Sequence, residues 1–353
     1  LLKVEIKKLL LVVIISVAVA VGTVTTLSFF PLKNASNLGS TQKERPIRIA
    51  LTRWVGDAGL VLAADEFKKN KVPVELVLTG NATKAEELYA DGMVDGLSST
   101  YTNTIFRNSE GVNSKLVWVI DDSSTADAII GKQNTTITDL KGKKIGIEGI
   151  NSFSHIFVLQ ALAKAGLYEK DVQFVNIPAQ EILKALDNKL IDAGHTWGPT
   201  KFAAIQRGYN IVATAKDVPG IITDVLIFNS KLVDQRPADI QSIVKSINAG
   251  INYLNNNKEK SSQALSNFFN MSSDEVRDGF EGIKILGLKD NVEAMNKSTS
   301  GGNTTSLYQS GAIIAKYLLD RGQIRQMPNF DDIIDPRFVD ALYNNKSLVA
   351  TNN

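Results

Sequence analysis

The sequence predicts an α/β protein built from two tandem strand-and-helix units and closed by a helical tail. Three observations carry this. Apolar stretches of strand length alternate with segments of helical spacing from Pro46 onward, the alternation begins again at Leu116, and beyond Asn229 only helical periodicity remains. With 353 residues, 44% of them apolar, the chain has enough core-forming side chains for about two domains of the usual ~100 to 200 residues.

In the first unit, Pro46 to Leu51 alternates and then runs apolar, as a strand entering a sheet does. Asp57 to Lys69 has helical spacing, Val72 to Leu78 is a second strand, Ala82 to Tyr89 a second helix, and Val94 to Leu97 a third strand ending in the polar loop Ser98-Ser99-Thr100. This order is that of a parallel sheet covered on both faces. The second unit has strands at Leu116 to Ile120, Ala128 to Gly131, Lys144 to Glu148, Val172 to Ile177, Ala193 to Thr196, Tyr209 to Thr214 and Val225 to Phe228. Between them lie helical segments at Asp139 to Lys143, Ser154 to Ala165 with Gly166 as its C-terminal stop, and Gln180 to Leu186. The tail is helical over Ile240 to Leu254, Ser261 to Phe269, Asp274 to Glu281 and Ser306 to Arg321, and is expected to cross back and pack onto the first lobe.

Composition removes several classes of function. Lys+Arg of 39 against Asp+Glu of 37 leaves a net charge of +2, and no stretch gathers the basic residues a nucleic-acid surface requires. Without cysteine there is no disulfide framework, thiolate metal site or lipoprotein attachment, and the two histidines, His155 and His195, exclude a multi-histidine metal centre. No Gly-x-Ser-x-Gly, phosphate-loop or His-Glu-x-x-His signature occurs. No cofactor is expected.

The N-terminal end sets the expected compartment. Lys3, Lys7 and Lys8 precede an uncharged run from Leu9 to Leu32, longer than the ~20 residues that span a bilayer. Residues 1–33 therefore read as a membrane anchor oriented N-in and C-out, or alternatively as a signal segment cleaved near Ala18 to Ala20. Residues 34–45 read as a flexible tether that leaves the body on the extracytoplasmic side. Asn-x-Ser/Thr sequons at Asn34, Asn81, Asn134, Asn270, Asn296, Asn303 and Asn345 are compatible with a glycosylated cell-surface protein.

Candidate ligand contacts fall in polar segments at strand ends, the edge where open α/β sheets bind ligands. After the first strand, Arg53 can meet an anion or a carboxylate, and Trp54 can wall a pocket or pack under its loop. Ser98, Ser99 and Thr100 offer three hydroxyls, or cap the next helix. Asp122 and Ser124 lie where the chain passes between lobes, and Asp224 is a second carboxylate on the return. In the turn Gly149 to His155, Ser152 and Ser154 stand at a helix start, with Ser154 as a candidate N-cap and His155 either reaching the cleft or serving structure. Thr196 and Trp197 close the set, Trp197 being followed by a Gly-Pro that ends the strand.

Several of these segments together resemble a family. Asp122 to Ile130, Asp139 to Glu148, the Ser154-His155 turn, Lys164 to Leu167 with Asp171-Val172, Ile191 to Ala193 with Thr196-Trp197, and Pro219 to Leu226 are similar, in order and spacing, to the nitrate/sulfonate/taurine class of periplasmic binding proteins. That class includes the SsuA/TauA-like and NMT1/THI5-like proteins, and the resemblance covers roughly Ile47 to Tyr343. It implies a type II periplasmic binding protein fold, with two α/β lobes and a ligand cleft between them: lobe 1 from 46–121 and 225–353, lobe 2 from 122–224.

The implied role is that of the solute-binding subunit of an ABC importer, acting as a monomer with a membrane permease and a cytoplasmic ATPase. Its solute would be an aliphatic sulfonate, taurine or a nitrate-like anion. A nitrogenous solute (urea-like, amide or pyrimidine) is the alternative, with Asp122 and Asp224 as acceptors and Trp54 and Trp197 stacking. A ligand sensor for a membrane signalling partner is a further reading. An enzyme of the THI5 type is disfavoured by the missing cysteines and the export segment. Where relatives often carry Trp-Glu-Pro, this chain has Trp197-Gly198-Pro199, which removes a carboxylate near the pocket.

Overall fold

A computed structural model describes residues 45–297 and 306–345. The expected membrane segment at 9–32, almost all of the 34–45 tether and the sequons at Asn34 and Asn303 lie outside the described residues. Among the described residues no helix is long and apolar enough to cross a membrane.

The first sheet takes strands from both ends of the described chain: β1 (Ile47–Leu51), β2 (Val74–Leu78), β3 (Gly96–Thr100), β4 (Ser114–Ser123), β10 (Thr223–Asn229) and β11 (Ile283–Ile285), in the order β11-β4-β10-β3-β1-β2. The second takes its strands from the middle: β5 (Ala128–Gly131), β6 (Lys144–Ile147), β7 (Gln173–Asn176), β8 (Ala193–Thr196) and β9 (Asn210–Thr214), ordered β7-β6-β8-β5-β9. Both sheets are mixed, where the sequence pattern alone suggests parallel ones. β10 runs antiparallel to β3 and β4, and β5 antiparallel to β8 and β9. These are the two strands that arrive from the other sheet, so no covering helix has to turn them parallel to their neighbours. β11, three residues long, is too short for its Ile-Lys-Ile alternation to stand out from a helical background, and the strand pattern does not stop at Asn229 as expected.

The helices are α1 (Ala58–Leu62), α2 (Ala64–Lys69), α3 (Ala82–Ala90), α4 (Tyr101–Ser109), α5 (Phe153–Lys164), α6 (Ile182–Asp187), α7 (Gly198–Gln206), α8 (Ser230–Gln235), α9 (Pro237–Asn256), α10 (Lys258–Phe269), α11 (Ser273–Glu281), α12 (Leu288–Ala294), α13 (Leu307–Asp320), α14 (Phe330–Ile333) and α15 (Arg337–Tyr343). Side chains fix several of the starts. Asn81 accepts from Lys84 N–H, Thr100 from Asn103 N–H and Ser152 from His155 N–H, so Ser152 caps α5 while Ser154 lies inside it. The expected single helix over 57–69 breaks at Ala63, whose N–H bonds Leu60 O in a tight turn. The helical tail packs on the first sheet's elements, α9 against α1 and α2, α13 against α4, and α14 and α15 against β4.

The chain crosses between sheets at 124–127 and returns at 215–222. The two crossings lie side by side: Ser123 N–H bonds Ile222 O at 3.0 Å, Lys216 N–H bonds Ser124 O at 2.6 Å and Ala215 N–H bonds Asp127 O at 3.1 Å. Gly282 O accepts the N–H groups of Ser124, Thr125 and Ala126, and a Cβ at Gly282 would sit 2.5 Å from Ala126 N, so only glycine permits this approach. Away from the crossings, ion pairs join elements that flank the two sheets: Lys201 of α7 with Asp278 of α11 at 3.0 Å, and the Arg321 guanidinium, just past α13, with both oxygens of Glu169.

Candidate functional site

Where the carboxyl ends of β1, β3 and β8 meet the starts of β5, β10 and α5, the described residues line an open-mouthed cavity of about 50 Å³. Three aromatic side chains wall it: Trp54 after β1, Phe153 at the start of α5 and Trp197 after β8. Phe153 and Trp197 touch with ring centroids 5.6 Å apart. Trp54 is held from behind, its indole N–H donating to Asp121 Oδ2 at 2.8 Å. That bond depends on Gly56, because a Cβ there would lie 1.8 Å from Asp121 Oδ2 and 2.5 Å from Trp54 Nε1.

The charged lining is acidic: Glu86 from α3, Asp127 from the first crossing and Asp224 from β10. Glu86 accepts hydrogen bonds from the Ser99 hydroxyl and, at 3.2 Å, from Asn103 Nδ2, with Arg107 at 3.5 Å on its other oxygen. Asp127 ends a buried relay. Glu148 N–H donates to Ser154 Oγ (3.2 Å), Ser154 donates to His195 Nδ1 (2.8 Å) and His195 Nε2–H donates to Asp127 Oδ1 (3.0 Å). The His195 ring lies 5.0 to 5.6 Å from those of Phe157, Phe153 and Trp197. Ser154 is fully buried and its oxygen is already an acceptor, so the row orients Asp127 and offers no nucleophile to a solute.

Asp224 faces Asp121 across the β10–β4 ladder. Burial raises both carboxyls well above their ordinary range, and mutual repulsion with Asp57 and Asp127 adds to it, so the pair holds a proton. Burial likewise pushes Asp57 to about 7, with the Ser98 hydroxyl pulling it back, and Glu148 to about 8, with the Ala179 N–H opposing.

Of the residues singled out in the sequence, Trp54, Ser98, Ser99, Thr100, Trp197 and Asp224 line this cavity. The others are engaged elsewhere. Arg53 donates to Phe269 O (2.7 Å) and to Asn270 O, holding the end of α10. Asp122 accepts from the Thr223 hydroxyl at 2.7 Å, and Ser124 contributes backbone bonds at the crossing. Ser152 caps α5, Ser154 serves the relay and the Thr196 hydroxyl donates to Ala179 O at 2.8 Å. His155 accepts from Asn151 N–H at 3.0 Å and does not reach the cavity. Burial, reinforced by Arg321 and opposed by Glu169, lowers its pKa to about 4.

Glu86, Asn103, Asp127 and Phe153 line the cavity without having been singled out. A signal existed for Glu86, which shares the buried face of α3 with Ala85 and Tyr89, and for Phe153, which sits within the Gly149 to His155 turn. Asp127 directly precedes the apolar β5, but its partner His195 is distant in sequence.

The family described as NMT1/THI5 like matches residues 57–261, more than half of the chain. The chain belongs to this family. Over 184 residues this NMT1/THI5-like protein is 26% identical to an Escherichia coli K12 protein named for binding aliphatic sulfonates, a match covering 50% of this chain and 57% of that protein. It thus spans about half the length of the curated relatives it matches. Among solved structures, the ligand-binding component of an ABC-type import system from Staphylococcus aureus aligns with a TM-score of 0.71 at 16% identity, over 84% of this chain and 98% of that one. The periplasmic aliphatic sulphonate binding protein SsuA from Escherichia coli aligns with a TM-score of 0.65 at 19% identity, over 85% and 99%. The desulfurization enzyme DszB has the same fold, with a TM-score of 0.63 at 13% identity over 86% and 99%. The NMT1/THI5-like chain therefore has the α/β periplasmic binding protein fold, which is used by both binding proteins and an enzyme.

Proposed function

We propose that this chain is the extracytoplasmic solute-binding component of an ABC importer, which captures one small solute between its two sheets and presents it to a membrane permease. The observation that carries the reading is the cavity itself. It lies at the carboxyl ends of strands from both sheets, is walled by Trp54, Phe153 and Trp197, and is set among groups placed to bind rather than react. Family membership and the fold shared with ABC ligand-binding components support the same role.

For the solute, the lining favours a nitrogenous compound that donates N–H groups. Glu86, Asp127 and Asp224 are acceptors, while Arg53, the cation expected to meet a sulfonate, is turned to the end of α10. The sulfonate reading is supported by similarity to the Escherichia coli protein named for binding aliphatic sulfonates, and by no cation in the lining. A thermal-shift screen of the full chain against taurine, alkanesulfonates, nitrate, urea, amides and aminopyrimidines tests both. A solute at a hundred times its Kd adds about 2.7 kcal/mol to stability, a visible rise in the unfolding midpoint. A response to the N–H donors supports the nitrogenous reading, a response to sulfonates or nitrate alone replaces it with the anion reading, and silence across the panel overturns the receptor assignment.

A further inference from the structure

Resting on that receptor reading, we propose that the group held in the cavity is a positively charged nitrogen, belonging to a small organic cation such as a guanidinium or to the ammonium end of a zwitterion. Three carboxyl groups line the cavity and no lysine or arginine does. The nearest cations are committed elsewhere: Arg53 to two backbone carbonyls, Lys201 to Thr125 O and Asp278, and Arg107 to the outer oxygen of Glu86. The carboxylate charge of the lining outweighs the partial charges of helix ends.

Those helix ends are also largely spent. At α4, Asn103 N–H is taken by Thr100. At α5, Phe153 N–H is taken by Asn103 Oδ1 and His155 N–H by Ser152. At α7, Pro199 has no N–H to give. An anion here would meet few free backbone donors and the carboxyl oxygens of Glu86 and Asp127.

Asp127 is set to accept. His195 fixes one of its oxygens, and the other takes no hydrogen bond from the protein. Asp224 lines the cavity beside the Asp121 carboxyl. The Trp54, Phe153 and Trp197 rings offer faces on which a flat cation stacks. Size agrees: at ~10 to 15 Å³ for each water-sized occupant, a space of about 50 Å³ holds a group of roughly four heavy atoms.

The test is calorimetric titration of the full chain at millimolar ligand with two pairs that differ chiefly in charge, guanidinium against urea and taurine against isethionate, with sodium chloride matched throughout. The charged-nitrogen member should bind at least about tenfold tighter in one pair. Guanidinium identifies a free cation as the source, and taurine a zwitterion. Asp127→Asn and Glu86→Gln should each remove the preference while keeping a cooperative unfolding transition. Should either variant fail to fold, the preference between pair members in the unmodified chain still decides. If neither guanidinium nor taurine binds more tightly than its partner, the charge assignment is overturned and the receptor is left standing. No binding by any of the four also overturns the charge assignment, while the receptor reading is decided by the wider thermal-shift panel.

Discussion

Asp121 and Asp224 are register partners on adjacent antiparallel strands, two carboxyls placed side by side with only one of them open to the cavity. Asp121 is the buried member and bonds the indole that walls the site, while Asp224 is the one that lines the cavity. Whatever alters the charge on Asp224 is therefore felt by Trp54 through Asp121.

Stability should fall as pH rises. Burial moves Asp57 from 3.8 to about 7, and Asp121 and Asp224 move in the same direction. A raised carboxyl pKa means that the folded state binds its proton more tightly than the unfolded chain does. The Asp57 contribution is thus complete below about pH 4 and lost as pH passes about 7. A shift of about three units corresponds to something on the order of 4 kcal/mol. Urea unfolding at steps between about pH 5 and 8 should show this decline, and Asp57→Asn should flatten it. An unchanged slope in the variant would assign the effect to other groups.

Trp197→Ala should weaken binding of whichever solute the screen identifies by at least about tenfold, the scale of one buried aromatic contact. Trp197→Phe should recover part of the loss. Unaltered affinity in the alanine variant would remove Trp197 from the site.

Arg53→Ala should leave the solute Kd within about twofold and lower stability by about 1 to 2 kcal/mol, because its guanidinium serves the carbonyls of Phe269 and Asn270. Titration beside urea unfolding separates the two effects. A large loss of affinity would return Arg53 to the ligand.

How far the sequence reaches follows from where each partner lies. Trp54, Trp197 and Asp224 are legible because each sits where an apolar strand run meets a polar turn, and that break is visible locally. Arg53 occupies the same kind of position and has a different role, because the carbonyls it serves are 216 and 217 residues away. Asp127 is set by His195 and Ser154, and no local pattern announces a bond spanning 68 residues. The two-unit alternation is readable because strand and helix periods differ, whereas the antiparallel entry of β5 and β10 is a property of the crossings and leaves no period of its own.

The paired crossings carry a mechanical consequence. With 124–127 and 215–222 bonded to each other and the first also pinned to Gly282, the two sheets are bound along a single spine, like the covers of a book. A rotation about that spine would separate the two sheets most where the lever arm is longest, far from it. Glu169 and Arg321, which do not line the cavity, stand as a clasp on those covers, so a substitution there would loosen their hold on each other without altering the cavity wall.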